Sequence, residues 1–416
     1  MGKIRIPVTI ICLLLAFTAV AAKQTGMAPS LQPPLALEDG DRVVLLGNSL
    51  FENELRYGYL EYALTTRWAD RDVSFRNLGW TGDTVFGEAR GYFTNPPDAY
   101  GHLIDQLEKA RPTMVILAYG TNEAYEGAKG LDRYIEGLNR LLDKIDELNA
   151  RVVMLSPIPH FPVVARPEIN TSHNENLTLY TKAQSGVADK RGVPFIDVFT
   201  TLRQNSRTGE LTTNGMHLNE RGYYYLAREM EKQLGLRERT WSVHIDAEKL
   251  QADRQGAVIW DLAADDAEPG VMTFKVLDAT LPFPRPEGGA ASGPAAGRTL
   301  RITGLAQGYY SFSMDGRQVA SATAREWSDG VALSGEPALR QAGKLREHIV
   351  RKNAMFFYQY RPQNRTYLLG FRSHEQGNNA VELEQYDKFI EELEAGIAGL
   401  RSPAPVICRL TPTQRN

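Results

Sequence analysis

At 416 residues, with 43% hydrophobic and 23% charged side chains, the chain has material for a sizeable core and is too long for one compact unit, so two or three modules are expected. Lys and Arg total 47 against 50 Asp and Glu, a formal charge of -3. No block of like charge is long enough to form an arm for nucleic acid or a membrane surface, which excludes a nucleic-acid partner and argues against a polyanionic substrate.

The chain opens with Lys3 and Arg5 ahead of an apolar run from Ile6 to Val20 that ends in Ala19-Val20-Ala21. A basic start, a short apolar stretch and a small-residue cleavage pattern are the marks of a secretory signal over residues 1–22, so export to the periplasm or beyond is expected. The run falls short of the roughly 20 residues of a spanning helix, so no stable membrane span is expected after cleavage. Cys12 lies inside the signal and leaves Cys408 as the mature chain's cysteine. Neither an internal disulfide nor a cysteine metal site is expected, and no cofactor is implied.

Past a Pro-rich spacer, the apolar run Arg42 to Leu46 ends at Gly47 and predicts a buried parallel strand. Helix and strand patterns then alternate. A helix is predicted from Glu54 to Trp68, a strand at Val73–Leu78, a helix near Tyr100–Lys109 and a strand at Thr113–Ala118. A helix at Asp132–Asn149, a strand at Arg151–Ser156, a helix at Asn174–Arg191, a strand at Pro194–Val198 and a closing helix at Arg221–Leu234 follow. Such alternation implies βαβ units and an α/β domain over residues 38–236, with a parallel sheet covered on both faces.

From Trp241 the segments Ala257–Leu262, Met272–Val276, Thr299–Ile302, Tyr309–Met314 and Gln318–Ala322 are short and separated by turn residues, which predicts a small β-sandwich-like module over 241–330. Gly, Ala and Pro crowd Pro282–Gly297, expected to be a loop. Residues 335–402 return to helical spacing, with Leu345, Ile349 and Phe356 on one stripe and Phe389, Leu393 and Ile397 on another. A polar stretch, Arg361 to Asn379, separates the two helices, and no internal repeat is found.

Candidate chemistry falls at the ends of the predicted strands, where open α/β sheets place their ligand crevice. Ser49 follows the first strand in Gly47-Asn48-Ser49; taken alone, a serine there is more often a helix cap. Gly82 lies in Asn77-Leu78-Gly79-Trp80-Thr81-Gly82-Asp83-Thr84, Asn122 in Gly120-Thr121-Asn122-Glu123, and His217 in Asn214-Gly215-Met216-His217-Leu218. A nucleophile, a base, backbone N–H groups and an amide donor together make up the set that acyl transfer requires.

These four blocks, in this order, resemble those of the SGNH (GDSL-like) hydrolase family, over roughly Asp41 to Leu234. The resemblance implies a three-layer flavodoxin-like sheet, esterase or deacetylase activity without a metal, Ser49 as nucleophile, His217 as base, and an oxyanion hole from the Ser49 and Gly82 N–H groups with the Asn122 amide. Two positions depart from the pattern. The residue before the nucleophile, usually Asp, is Asn48, which bears on local hydrogen bonding. The family's triad Asp, three residues before the histidine, is here Asn214. Three readings follow: Asn214 orients His217 in a slow enzyme, a carboxylate from elsewhere replaces it, or the cleft binds without catalysis.

Arg372, His374 and Glu375 in the polar stretch are candidates to reach the substrate or His217. Trp80, inside the Gly82 loop, is expected as an exposed pocket wall for a sugar ring or acyl group. His160 at a strand end could line the pocket or be a satisfied loop histidine. Glu123 could face the substrate or, like Asp83, cap the helix that begins beside it. The leading expectation is an exported ester hydrolase acting on an ester-bearing small molecule or polysaccharide, with a carbohydrate acetyl ester as the favoured substrate. Its rival is a catalytically silent protein binding a glycan or a protein partner.

Overall fold

A computed structural model describes residues 35–93, 97–162, 167–204, 210–286, 298–361 and 383–414. The signal segment and most of the polar stretch, including Arg372, His374 and Glu375, lie outside the described residues.

Strands β1 (Arg42–Gly47), β2 (Ser74–Asn77), β3 (Met114–Ala118), β4 (Arg151–Leu155) and β5 (Phe195–Ile196) form one parallel sheet in the order β2-β1-β3-β4-β5. Alternate residues of β1 enter different cores. Val43 and Leu45 pack with α2 (Tyr59–Arg67) and α7 (Glu220–Gln233), while Val44 and Leu46 pack with α3 (Ala99–Ala110), α4 (Leu131–Glu147) and α5 (Pro167–Arg191). This is the three-layer α/β fold, with both sheet faces covered, that a continuous apolar strand requires. In α4, Tyr134, Leu138, Leu141, Leu142 and Ile145 are buried at helical spacing, an apolar stripe on an otherwise charged helix. The helix expected from Glu54 to Trp68 is two helices: α1 (Ser49–Glu54) already starts at the serine, and α2 follows a break at Gly58, whose φ of +66° suits glycine. Between β5 and α7 lies the short α6 (Val198–Gln204).

Two further sheets face each other across a shared core. Strands β6 (Ser242–Asp246), β7 (Gln251–Gln255), β10 (Thr299–Thr303) and β13 (Val331–Ala332) make one, in the order β13-β10-β6-β7. The other runs β12-β11-β14-β9-β8, from β8 (Ala257–Ala264), β9 (Met272–Asp278), β11 (Tyr309–Met314), β12 (Arg317–Thr323) and β14 (Val406–Thr413). A short helix, α8 (Ala324–Asp329), brings Trp327 into this core. The last strand, β14, sits in the middle of its sheet between β11 and β9. The sandwich is therefore completed only after the chain has left it through α9 (Pro337–Tyr360) and α10 (Gln385–Leu400).

Those two helices pack on each other and on the α/β domain, with α9 against α2 and the edge strand β2. Ala338, Ala342, Leu345 and Ile349 of α9 join the core on the α2 and α7 side, and Phe356 with Ile390 of α10 joins the other. At the heart of the contact the fully buried Lys352 ammonium donates to the Glu61 carboxylate and to the Phe75 carbonyl, each at 2.9 Å. Asn353 Nδ2 donates to the same carboxylate at 2.9 Å. Burial pulls the lysine down and pushes Glu61 up, each toward its neutral form, so the pair stands only while each partner satisfies the other.

Candidate active site

Sheet order 2-1-3-4-5 reverses direction between β1 and β3, and the crevice at the carboxyl ends of those strands is where Ser49 and Asn122 emerge. Gly47 permits the approach: a Cβ there would stand 2.4 Å from the Ala118 carbonyl oxygen of β3. Asn48 accepts from Leu50 N at 3.1 Å and so caps α1, as the family's Asp could, but its buried Nδ2 has no hydrogen-bond partner among the described residues. Ser49 is the first residue of α1, so its N–H has no intrahelical acceptor and can serve an oxyanion. It is half-buried.

The second expected donor, the Gly82 N–H, lies in the turn after β2. Gly79 lies against α1 so closely that a Cβ would meet Glu52 N at 2.2 Å. Asn77 accepts from Gly79 N at 2.9 Å and donates to Phe51 O at 2.7 Å, which fixes the turn relative to α1. Asp83 N closes the turn on Trp80 O at 3.0 Å, and Gly82 is exposed with φ +81°. Beneath it Arg90 donates through Nε to Asp83 at 2.8 Å, both side chains fully buried, and reaches the Leu78 carbonyl at 3.0 Å. The Tyr119 hydroxyl donates to the same carboxylate at 2.9 Å.

Asn122 donates through Nδ2 to the Asp83 carbonyl at 2.6 Å, joining the amide donor to the Gly82 turn. Glu123, expected to face substrate or cap a helix, is instead buried beneath the loops. Its two carboxylate oxygens accept from Val85 N and Gly120 N, each at 2.9 Å, so it spans the two donor segments. Desolvation raises its pKa to about 7 against the opposing pull of these N–H groups. Trp80 likewise departs from expectation. It is 1% exposed, under the Arg361 guanidinium at 3.8 Å and near Arg90 at 5.0 Å, so it braces the turn and offers no pocket wall.

His217 is half-buried in the loop before α7. Two cross-braces hold that loop to the crevice: Tyr223 OH donates to Leu50 O at 2.6 Å, beside the serine, and Phe161 N donates to Gly215 O at 2.7 Å. Among the described residues no hydrogen bond joins Ser49 to His217, as is common before substrate tightens a catalytic contact. Asn214 stands where the family has Asp. Its Oδ1 accepts from Met216 N at 3.1 Å and from His217 N at 2.8 Å, which leaves Nδ2 to face His217 Nδ1 at 3.3 Å. An amide so oriented presents a donor to Nδ1, an arrangement that favours the neutral tautomer with its proton on Nε2. A base for Ser49 needs the opposite tautomer.

His160 is buried at the end of β4, its backbone held in both directions by Asn174 at 2.8 and 2.7 Å. Burial, then the neighbouring His173 and His217, lowers its pKa to about 4, so the ring is neutral near neutral pH. His173 and Tyr125, which the sequence reading did not single out, complete this side of the crevice. The Tyr125 ring stacks on His173 at 4.0 Å, and its hydroxyl lies 3.9 Å from Met216 Sδ, next to His217. Among the described residues no group of three or more His, Cys, Asp and Glu is placed to hold a metal ion.

A three-layer sheet of order 2-1-3-4-5, with serine, glycine, asparagine and histidine segments at its carboxyl edge, defines a flavodoxin-like hydrolase fold. Residues 45–225 match the model of the GDSL-like lipase/acylhydrolase family, whose members generally hydrolyse esters, so the α/β domain of this chain is similar to that family. A gut microbial diltiazem-metabolizing enzyme has a similar structure, at a TM-score of 0.69 and 18% identity, over 92% of this chain and 100% of that one. The likeness shows that the arrangement of α/β domain, sandwich and helical pair recurs. An acetyl xylan esterase matches 46% of this chain and 98% of its own at 20% identity and a TM-score of 0.37. An acetylxylan esterase from Geobacillus stearothermophilus, as a catalytic mutant, matches 49% and 98% at 15% identity and 0.38. No curated protein matches the chain.

Proposed function

We propose that the protein is an exported serine ester hydrolase with an O-acetylated carbohydrate as its substrate. The observation that carries this reading is the cross-braced meeting of the Ser49, Gly82, Asn122 and His217 segments at the switch point of the sheet. With His217 in its Nδ1–H tautomer, Ser49 Oγ attacks the ester carbonyl and gives its proton to Nε2. The Ser49 and Gly82 N–H groups and the Asn122 amide receive the developing oxyanion. His217 returns the proton to the leaving alcohol, and water, activated by the same histidine, releases the acyl group from Ser49. The signal-like start of the chain supports export, and no helix among the described residues is long and apolar enough to cross a membrane.

A second reading is favoured by one contact, the Asn214 donor facing His217 Nδ1. A histidine held as the Nε2–H tautomer is a donor toward the crevice, and the site would then bind a carbonyl or carboxylate without turning it over. Covalent labelling by a fluorophosphonate separates the two. Labelling of the wild type, abolished in Ser49→Ala, is expected of the hydrolase. No labelling, under conditions where a family hydrolase with Asp in this place reacts, would leave the binding reading.

A further inference from the structure

Tyr125 is 61% exposed, only three residues past Asn122 and beside the loop that carries His217. Isolated exposed aromatics are ordinary. This one is held. One face lies on the His173 imidazole at 4.0 Å with the planes 16° apart, and His173 in turn lies 4.8 Å from His160. Burial lowers both imidazoles below their ordinary range, so the support is uncharged at neutral pH. His173 is itself more than nine-tenths buried, and its Nε2 has no hydrogen-bond partner among the described residues. The crevice wall therefore combines a rigid aromatic face, open to solvent, with an unused imidazole nitrogen beneath it.

We infer that Tyr125, braced by His173 and His160, is the platform on which a pyranose ring bearing the ester lies during recognition. The ring's axial C–H groups form an apolar face that matches an aromatic surface, while its hydroxyls need polar partners at the rim, here the Tyr125 hydroxyl. A cationic or anionic ligand has no counter-charge in this neutral stack. The inference rests on the carbohydrate reading above and assigns the residue that distinguishes a sugar ester from any other acetate.

The test compares two probes with the same acyl groups, methyl tri-O-acetyl-xylopyranoside and triacetin, which lacks the ring. Binding is measured by calorimetry on Ser49→Ala, so that turnover does not interfere, and again after Tyr125→Ala or Tyr125→Phe is added. Tyr125→Ala should weaken the pyranoside about 10-fold and triacetin less than about two-fold, and Tyr125→Phe should keep most of the preference. If the pyranoside binds Ser49→Ala and Tyr125→Ala leaves that affinity unchanged, the platform is wrong and the hydrolase reading stands. If the pyranoside binds no better than triacetin, or neither binds, the carbohydrate reading and the platform are both overturned. Hydrolysis of triacetin by the wild type then shows whether the esterase reading survives alone.

Discussion

Asn214→Asp is expected to convert a slow hydrolase into a faster one. In the wild type, Oδ1 is committed to the Met216 and His217 N–H groups, and Nδ2 faces His217 Nδ1 at 3.3 Å. An aspartate keeps the first two bonds through one oxygen and offers the other as an acceptor for Nδ1–H. That selects the tautomer whose Nε2 lone pair can take the Ser49 proton. It also places a negative charge beside the imidazolium formed during attack. Asn214 is exposed, so an effective dielectric of about 40, between surface and bulk values, is appropriate. A unit charge at that spacing then contributes about 2.5 kcal/mol, or roughly 70-fold in rate. This is well below the ~10⁴ seen when a buried triad aspartate is replaced. The assay is kcat/KM for a small acetyl ester from acidic to alkaline pH. The variant's acidic limb should move to higher pH, because a stabilised imidazolium gives up its proton later. A variant no faster than the wild type at its own optimum would refute the reasoning and point to another group at Nδ1.

Glu123→Gln should change stability with opposite sign on the two sides of neutrality. A carboxyl held up at about 7 costs stability as pH rises from the ordinary carboxylate range through 7, about 3 kcal/mol in full, and Gln removes that dependence. It also leaves Val85 N or Gly120 N without an acceptor, at about 1–3 kcal/mol. Urea unfolding should therefore show the variant weaker than wild type at acidic pH, with the deficit erased or reversed at alkaline pH; an equal deficit at both would contradict the account. Arg361→Ala removes the guanidinium that pairs with Glu52 at 2.8 Å and covers Trp80. Because Glu52 also accepts from Thr81 N at 2.6 Å, the Gly82 turn loosens, and kcat should fall about 10-fold with KM nearly unchanged, the signature of a donor that works in the transition state. Lys352→Ala should destabilise the fold by about 3–5 kcal/mol by urea denaturation, less at low pH where Glu61 takes a proton, whereas Lys352→Met with Glu61→Leu should recover most of the loss.

The α/β half was legible because its evidence is local. Val43 to Leu46 is buried on both faces, so the strand has to be apolar throughout, and such a run announces itself. The site blocks were legible for the same reason: each is a short segment at a strand end. Side-chain environment was not. Trp80 looked like a pocket wall, and it is buried because Arg90 from the next loop and Arg361 from far down the chain pack on it. Glu123 is expected from the sequence to face substrate or cap a helix, and it is buried because two backbone N–H groups from separate loops need one acceptor between them. Tyr125 carried no signal within its polar surroundings. The strand β14 did carry one, since Val406, Cys408 and Leu410 alternate inward, but the helical pair separates it from its sheet.

That long detour has a consequence for the site. A sandwich that needs β14 in its centre draws the chain back from α10, so α9 and α10 are anchored at both ends and pressed against β2. The end of α9 then falls at the Gly82 turn: Tyr360 OH donates to Gly79 O at 2.9 Å, and Arg361 reaches Glu52, three residues past Ser49. The turn carrying Gly82, the proposed oxyanion donor, is thus held from below by Arg90 and Glu123 and from the side by a helix whose position depends on the sandwich. A turn fixed only by its own backbone would have to be ordered when the oxyanion forms, at a cost in rate, whereas one braced in this way is ordered beforehand. The sandwich need not touch substrate to matter for catalysis, and damage to β14 should appear first as a loss of kcat.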